Sequence, residues 1–324
     1  MARDLENMAR QLRRYLAGGE AITRVVALST GHSNETYRIE GLDRILRMPP
    51  SEEGLLPPYD MARQHAVLAA VGSWPGGAPV PRVFELCTDA SVIGDSFFVM
   101  ERLAGEAFEY HVPDWLLGAG EEVRDRMCAQ WIGAVTAVHR MPAERMPAPA
   151  VTVAGEAEHW LEVAREAESP RLLLELLEDL ARRPPPVSGP PAPVHGDPKH
   201  GNCLWDRGRL LALLDWEMAH VGEPLTDLGY LTSFYEQGEV PLASAGFELA
   251  GWWPRERVVA EWEEATGRAA RELRRYEALG MCKIAAIIAL GYHLFTSGRA
   301  TDKRFGAWGA VVPPFVESAA RRAE

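Results

Sequence analysis

The stretch that most constrains this chain is residues 194–220, "VHGDPKHGNCLWDRGRLLALLDWEMAH", where carboxylates, imidazoles and an amide are threaded through apolar runs. Unpaired polar groups are costly to bury, so a fold containing this segment must give each one a partner or a task. Between Asn202 and Asp215 two apolar runs flank a turn containing Gly208, the pattern of a β-hairpin. A strand going out and one coming back return to their starting level, so Asn202 and Asp215 stand side by side at the open end. Asp197 precedes them on a loop tightened by Gly196, Pro198 and Gly201. Two carboxylates and an amide oxygen thus converge. Hard oxygen donors of this kind suit Mg2+, which takes one or two carboxylates together with substrate phosphates and water. Each residue alone is more often a turn or cap residue; the combination is what argues for chemistry.

The remaining composition narrows the class. At 324 residues, two lobes are the expectation. A 47% hydrophobic, 25% charged composition is that of a globular chain, and a net charge of -12 disfavours a nucleic-acid binder. The four Cys (Cys87, Cys128, Cys203, Cys282) show no metal spacing and read as small buried hydrophobes in a reducing compartment. The N-terminal segment lacks an apolar signal region, and the longest apolar stretch, residues 284–295, is short of a membrane span. A cytoplasmic location with no membrane partner is expected; the oligomeric state is not readable.

Along the chain, an amphipathic helix over 1–17 precedes strand-like runs "AITRVVAL", "TYRIE" and "RILRM". A helix follows over 59–71, with Gly72 as its stop, and then "VPRVFELC" and "SFFVMERL" read as an antiparallel pair. This order describes a small α+β lobe over 1–103 with a five-stranded antiparallel sheet. From 104 to 324 the pattern turns helical, with a Pro-rich break at 184–193 that delivers the chain extended to Val194.

His195-x-Asp197-x-x-x-x-Asn202, with an Asp after a hairpin, matches the catalytic-loop pattern of kinases. With "GHSNETYRI", "RILRMPP", "APVPRVFELC", "FFVMERLAGEAF" and "LLDWEMAHVGEPLTDLGYL" in order, nearly the whole chain resembles the aminoglycoside phosphotransferase family, a branch of the protein-kinase-like fold. The likeness is nearest to the broad branch that includes the kinase-like domains of some acyl-CoA dehydrogenases.

The resemblance implies a bilobal α+β fold and a Mg2+-dependent transfer of the γ-phosphate of ATP or GTP to a small-molecule hydroxyl. It implies Asp197 as catalytic base and Asn202 and Asp215 as Mg2+ ligands. His195 becomes a scaffold of the loop, and Lys199 either reaches a γ-phosphate or is solvated. Glu101 and Leu103 take the place of the hinge whose backbone binds adenine. Ser33 and Asn34 lie on the phosphate loop, and Arg47 stands where the family has a phosphate-binding Lys. The helix partner of that basic residue is usually Glu; here it is Gln64, which can accept a hydrogen bond from Arg47 but cannot neutralise it. Glu52, Glu53 or Asp60 could substitute. Glu217, Glu223 and Asp227 follow the second metal-binding candidate and are expected to anchor the next helix, and the acidic run 261–267 to be a solvated helix face rather than an amine site.

Two other classes compete. A metal hydrolase built on His195, Asp197 and His200 would need further His ligands at metal spacing, which the sequence lacks. A nucleotide-binding, pseudokinase-like module without catalysis is kept open by Gln64. The acceptor could be an aminoglycoside-like amino-alcohol, a hydroxyacyl compound or another hydroxylated metabolite.

Overall fold

A computed structural model of the chain describes residues 3–28, 33–235 and 246–323. The first helix, α1 (Leu5–Tyr15), is capped by the Asp4 carboxylate, which accepts from the Asn7 amide. Strands β1 (Arg24–Leu28), β2 (Glu35–Glu40) and β3 (Arg44–Met48) form a meander. After α2 (Met61–Ser73) come β4 (Val83–Cys87) and β5 (Phe97–Glu101), and the sheet order is β1-β2-β3-β5-β4, antiparallel throughout. This is the small α+β sheet lobe that the sequence pattern describes.

Side chains alternate across a strand, and this alternation positions the site. Leu46 and Met48 of β3, with Ile39, Phe97 and Val99, pack with Met8 and Leu12 of α1 on one face. Ile45, Phe98 and Met100 face the other way and join Met61, Val67, Leu68 and Val71 of α2. Arg47 shares the parity of Ile45, so the pleat sends it to the α2 face. Gly72 proves to lie inside α2, which runs on to Ser73 and ends where Trp74 becomes extended. A Cβ at Gly72 would stand 3.2 Å from Val80, so that glycine serves close packing and not termination.

The larger lobe comprises α3 (Asp114–Leu117), α4 (Glu121–Arg140), α5 (Val153–Glu166), α6 (Arg171–Arg182), β6 (Ala192–Val194), β7 (Cys203–Asp206), β8 (Arg209–Leu213), β9 (His220–Gly222), α7 (Leu225–Thr232), α8 (Arg255–Thr266), α9 (Leu273–Thr296), α10 (Lys303–Gly306) and α11 (Val312–Ala323). The hairpin β7–β8 turns through Arg207 and Gly208, both at positive φ, as a tight two-residue turn with primed geometry requires. The β6–β9 pair was not legible in the sequence, because three-residue strands carry too little pattern. By length and composition α9 could cross a membrane, but most of it is buried against its neighbours in the fold. It crosses α7 closely at Gly229 and Gly280: a Cβ on Gly229 would meet the Tyr276 backbone at 2.5 Å, and one on Gly280 would meet Tyr230 at 2.9 Å. The four Cys are free and buried.

Leu46 is fully buried in the small-lobe core. Leu46→Ala should therefore lower unfolding free energy by about 2–5 kcal/mol in denaturant titration; a loss below about 1 kcal/mol would contradict this packing.

Candidate active site

The loop between β6 and β7 is held by side chains from elsewhere. Asp227, on α7 and fully buried, accepts from the amides of His195 and Gly196 at 2.8 Å each, and pairs with His139 of α4 at 2.9 Å. Burial alone would raise its pKa, but the bond to His139, together with the His195 amide, outweighs that and lowers it to about 2. His195 is buried; its Nε2 lies 2.9 Å from the Leu214 carbonyl and its Nδ1 accepts from the Asp197 amide at 3.1 Å. Burial depresses its pKa, so it stays neutral and joins the loop to the end of the hairpin.

Asp197 and Asn202 meet as the spacing requires. Asn202 Nδ2 donates to both the Asp197 carboxylate and its carbonyl, at 2.8 Å each. The Leu214 amide donates to the Asn202 carbonyl at 2.7 Å, which closes the hairpin and sets Asp215 beside Asn202. Asp215 adopts a left-handed backbone at φ 66, a strained state for a non-glycine residue. Burial works against the Asp197 charge, but Lys199, the Tyr230 hydroxyl and Lys283 outweigh it and keep the carboxylate ionised. Lys199 is half-buried and paired: its ammonium lies 2.9 Å from Glu109 and 3.5 Å from Asp197.

Arg47 reaches across from β3. Its Nε donates to Gln64 at 3.0 Å, and its Nη2 lies 2.6 Å from Asp215 and 3.6 Å from Glu217. The neutral Gln64 therefore orients Arg47, while carboxylates of the other lobe neutralise it. Glu52, Glu53 and Asp60 do not take that part. Glu52 and Glu53 bond to Thr301 and Arg299, and Asp60 caps α2. Ser33 lies 2.9 Å from the Glu217 carboxylate and Asn34 donates to it, while Gly31 and His32 of the same turn lie outside the described residues. Burial, and then Asp215, push the Glu217 carboxyl up to about 8, against the pull of Arg47. One guanidinium faces two carboxylates here. The donor set is hard oxygen, and its crowded carboxyls fit a divalent cation held with phosphate.

Two cavities meet at these residues. The larger, about 770 Å³, runs from Arg47, Gln64, Asn202 and Asp215 back to Glu101 and Leu103, between apolar walls from Ile45, Leu68, Phe98, Leu204 and Leu214. The smaller, about 300 Å³, holds Asp197, Lys199, Ser33, Asn34 and Glu217 against Tyr230, Phe234, Ile284, Ile287 and Ile288. Arg47, Asn202 and Asp215 line both. Neither cavity is lined by His195, His200 or the run 261–267. His200 is buried among Phe108, Trp131, Phe247 and Trp252.

The profile of the phosphotransferase enzyme family matches residues 24–265. The chain belongs to that family. Acyl-CoA dehydrogenase family member 11 of Gallus gallus is 29% identical over 217 residues, which cover 64% of this chain and 27% of that protein. This chain spans well under half the length of the curated relatives it matches. A Ralstonia eutropha JMP134 structure, provisionally named an aminoglycoside phosphotransferase, superposes with a TM-score of 0.77 at 22% identity, over 99% of this chain and 98% of its own. The GDP and kanamycin complex of APH(2")-IIIa gives 0.63 at 15% identity over 98% of both chains. At these identities the structural likeness is one of fold: a protein-kinase-like fold with a small antiparallel sheet and a larger helical lobe.

Within this phosphotransferase chain three neighbours of the site escaped the sequence reading as site residues. Glu217 follows Asp215 by two and was grouped with the helix-anchoring acids. Tyr230 shares a helix face with Asp227, three residues on. Glu109 lies in a loop with no pattern to announce it. The anchoring role holds for Glu223, which accepts from Ser188 and Leu225, and above all for Asp227.

Because the Asp227 carboxyl is held near 2 against an ordinary 3.8, it contributes about 2 kcal/mol of stability above pH 4 that is lost as pH falls toward 2. Asp227→Asn should be less stable at neutral pH by at least that amount and should lack this acid-dependent component. Thermal melts of both proteins between pH 2 and 7 would show it; parallel pH profiles would contradict the assignment.

Proposed function

We propose that the chain transfers the γ-phosphate of ATP or GTP to a hydroxyl on a small molecule with an apolar body. The observation carrying this reading is the shared wall of the two cavities. A phosphoryl transfer needs a donor compartment and an acceptor compartment that meet where the phosphate passes, and Arg47, Asn202 and Asp215 line both, together with Glu109, Tyr110 and Trp308. The nucleotide base fits the larger cavity, between its apolar walls and beside the backbone of Glu101 and Leu103. Arg47 would fork onto phosphate oxygens, exchanging Asp215 for them. Asn202 and Asp215 would hold Mg2+, whose charge offsets that of the phosphates.

In the smaller cavity Asp197 faces the acceptor hydroxyl. The acceptor oxygen forms a bond to the γ-phosphorus as the bond to the β–γ bridging oxygen breaks. The hydroxyl proton passes to the Asp197 carboxylate, and the nucleoside diphosphate leaves. Lys199, fixed by Glu109 and Asp197, lies at hand for the transferring phosphate. The acceptor side of this cavity is apolar: Ile284, Ile287 and Ile288 of α9 with Phe234 and Val311. Its carboxylates are engaged, Glu109 by Lys199, Asp215 by Arg47, and Glu217 by Ser33 and Asn34. That chemistry favours a hydroxyl compound with a hydrocarbon portion over a polycationic amino-alcohol. A small-molecule partner also accords with the acidic net charge of -12, which disfavours nucleic acid.

Asp197 and Asp215 should fail differently. Asp197→Asn keeps size and most hydrogen bonds, so nucleotide affinity should stay near wild type while turnover drops by roughly 10²–10⁴-fold. Asp215→Ala should weaken Mg2+-dependent nucleotide binding together with turnover. Calorimetry with each nucleotide, and γ-labelled phosphate transfer onto a panel of hydroxyl compounds, measure both. Equal turnover for wild type and Asp197→Asn would end the assignment of Asp197.

A further inference from the structure

Lys283 lies in the middle of α9 and is 3% exposed, an expensive place for an ammonium. The Glu156 carboxylate of α5 lies 3.6 Å from its ammonium. Its Nζ donates to the carbonyl of Gly196, the residue immediately before Asp197. It also faces the rings of Tyr230 at 5.0 Å and Trp160 at 5.4 Å. A buried pair is weak evidence of stabilisation, so the Glu156 contact alone is a poor account of this lysine.

The bonding of the loop assigns it another task. Asp227 holds the His195 and Gly196 amides, the His195 ring holds the Asp197 amide, and Asn202 holds the Asp197 carbonyl. The Gly196 carbonyl is held by Lys283. Gly196 sits at φ 90, where a Cβ would meet the Met218 carbonyl at 2.5 Å, so this peptide cannot be steadied by a side chain of its own. The next residues of the same helix, Ile284, Ile287 and Ile288, line the smaller cavity. Resting on the phosphotransferase reading above, we propose that Lys283 is a positioning residue: it ties the apolar acceptor wall of α9 to the loop bearing Asp197 and so fixes the base relative to the acceptor hydroxyl.

The test uses the full chain with Lys283→Met, which keeps length and removes the donor, and Lys283→Arg, which keeps a donor. Lys283→Met should fold, bind nucleotide as wild type does, and lose about 10–100-fold in kcat, as misplaced catalytic groups do. Lys283→Arg should recover part of that loss. Amide exchange at residues 195–197 should quicken in Lys283→Met while α4 is unchanged. If Lys283→Met does not fold, Lys283→Gln is read in its place against the same outcomes. Wild-type kcat in a folded variant, or unchanged exchange at 195–197, would overturn the proposal. If wild type itself transfers no phosphate, the phosphotransferase reading fails by that result, and the exchange comparison still decides whether Lys283 holds the loop.

Discussion

The bond on which the site depends is the double acceptance by Asp227 of the His195 and Gly196 amides. A buried carboxylate is tolerated only with such donors, and these donors fix the backbone one residue before Asp197. From that point each position follows. His195 carries the restraint to Leu214, Asn202 closes on Asp197, and the tight turn at Arg207 and Gly208 returns the chain to Asp215. The polar residues of "VHGDPKHGN" are therefore affordable in an apolar surrounding because nearly all of them hold one another.

The second constraint is the charge that crosses the cleft. Arg47 comes from the pleat of β3 and meets Asp215 and Glu217; Ser33 and Asn34 meet Glu217; Glu53 meets Arg299. These contacts are polar and partly open to water, unlike the apolar cores on either side. Polar pairs exchange partners readily where a charged ligand offers better ones, whereas packed cores resist change. The arrangement suits a cleft that a polyphosphate can enter by replacing carboxylates around a fixed arginine.

Much of this was legible in the sequence, for physical reasons. Period-two alternation marked the sheet, Gly208 between apolar runs marked the hairpin, and hairpin geometry brought Asn202 level with Asp215. What could not be read depended on contacts distant in the chain. Gly72 looked like a helix stop because packing against Val80 leaves no local signature. The sequence leaves Lys199 between a γ-phosphate and solvent because its partner Glu109 lies in a patternless loop. Glu52, Glu53 and Asp60 were plausible partners for Arg47 by proximity in sequence alone, while the structure turns them to Thr301, Arg299 and the start of α2. Lys283 gave no signal at all within its apolar run, since a buried lysine is explained only by the carbonyl it reaches.

The central claim is that donor and acceptor compartments share the wall formed by Arg47, Asn202 and Asp215. A crystal structure of the chain with Mg2+ and a non-hydrolysable ATP or GTP analogue tests it directly. The account predicts the base beside Glu101 and Leu103, the phosphates at Arg47, and the terminal phosphate directed at Asp197 with the smaller cavity left clear. A nucleotide bound outside the larger cavity, or phosphates that leave Arg47 on Asp215 and Glu217 untouched, would contradict it.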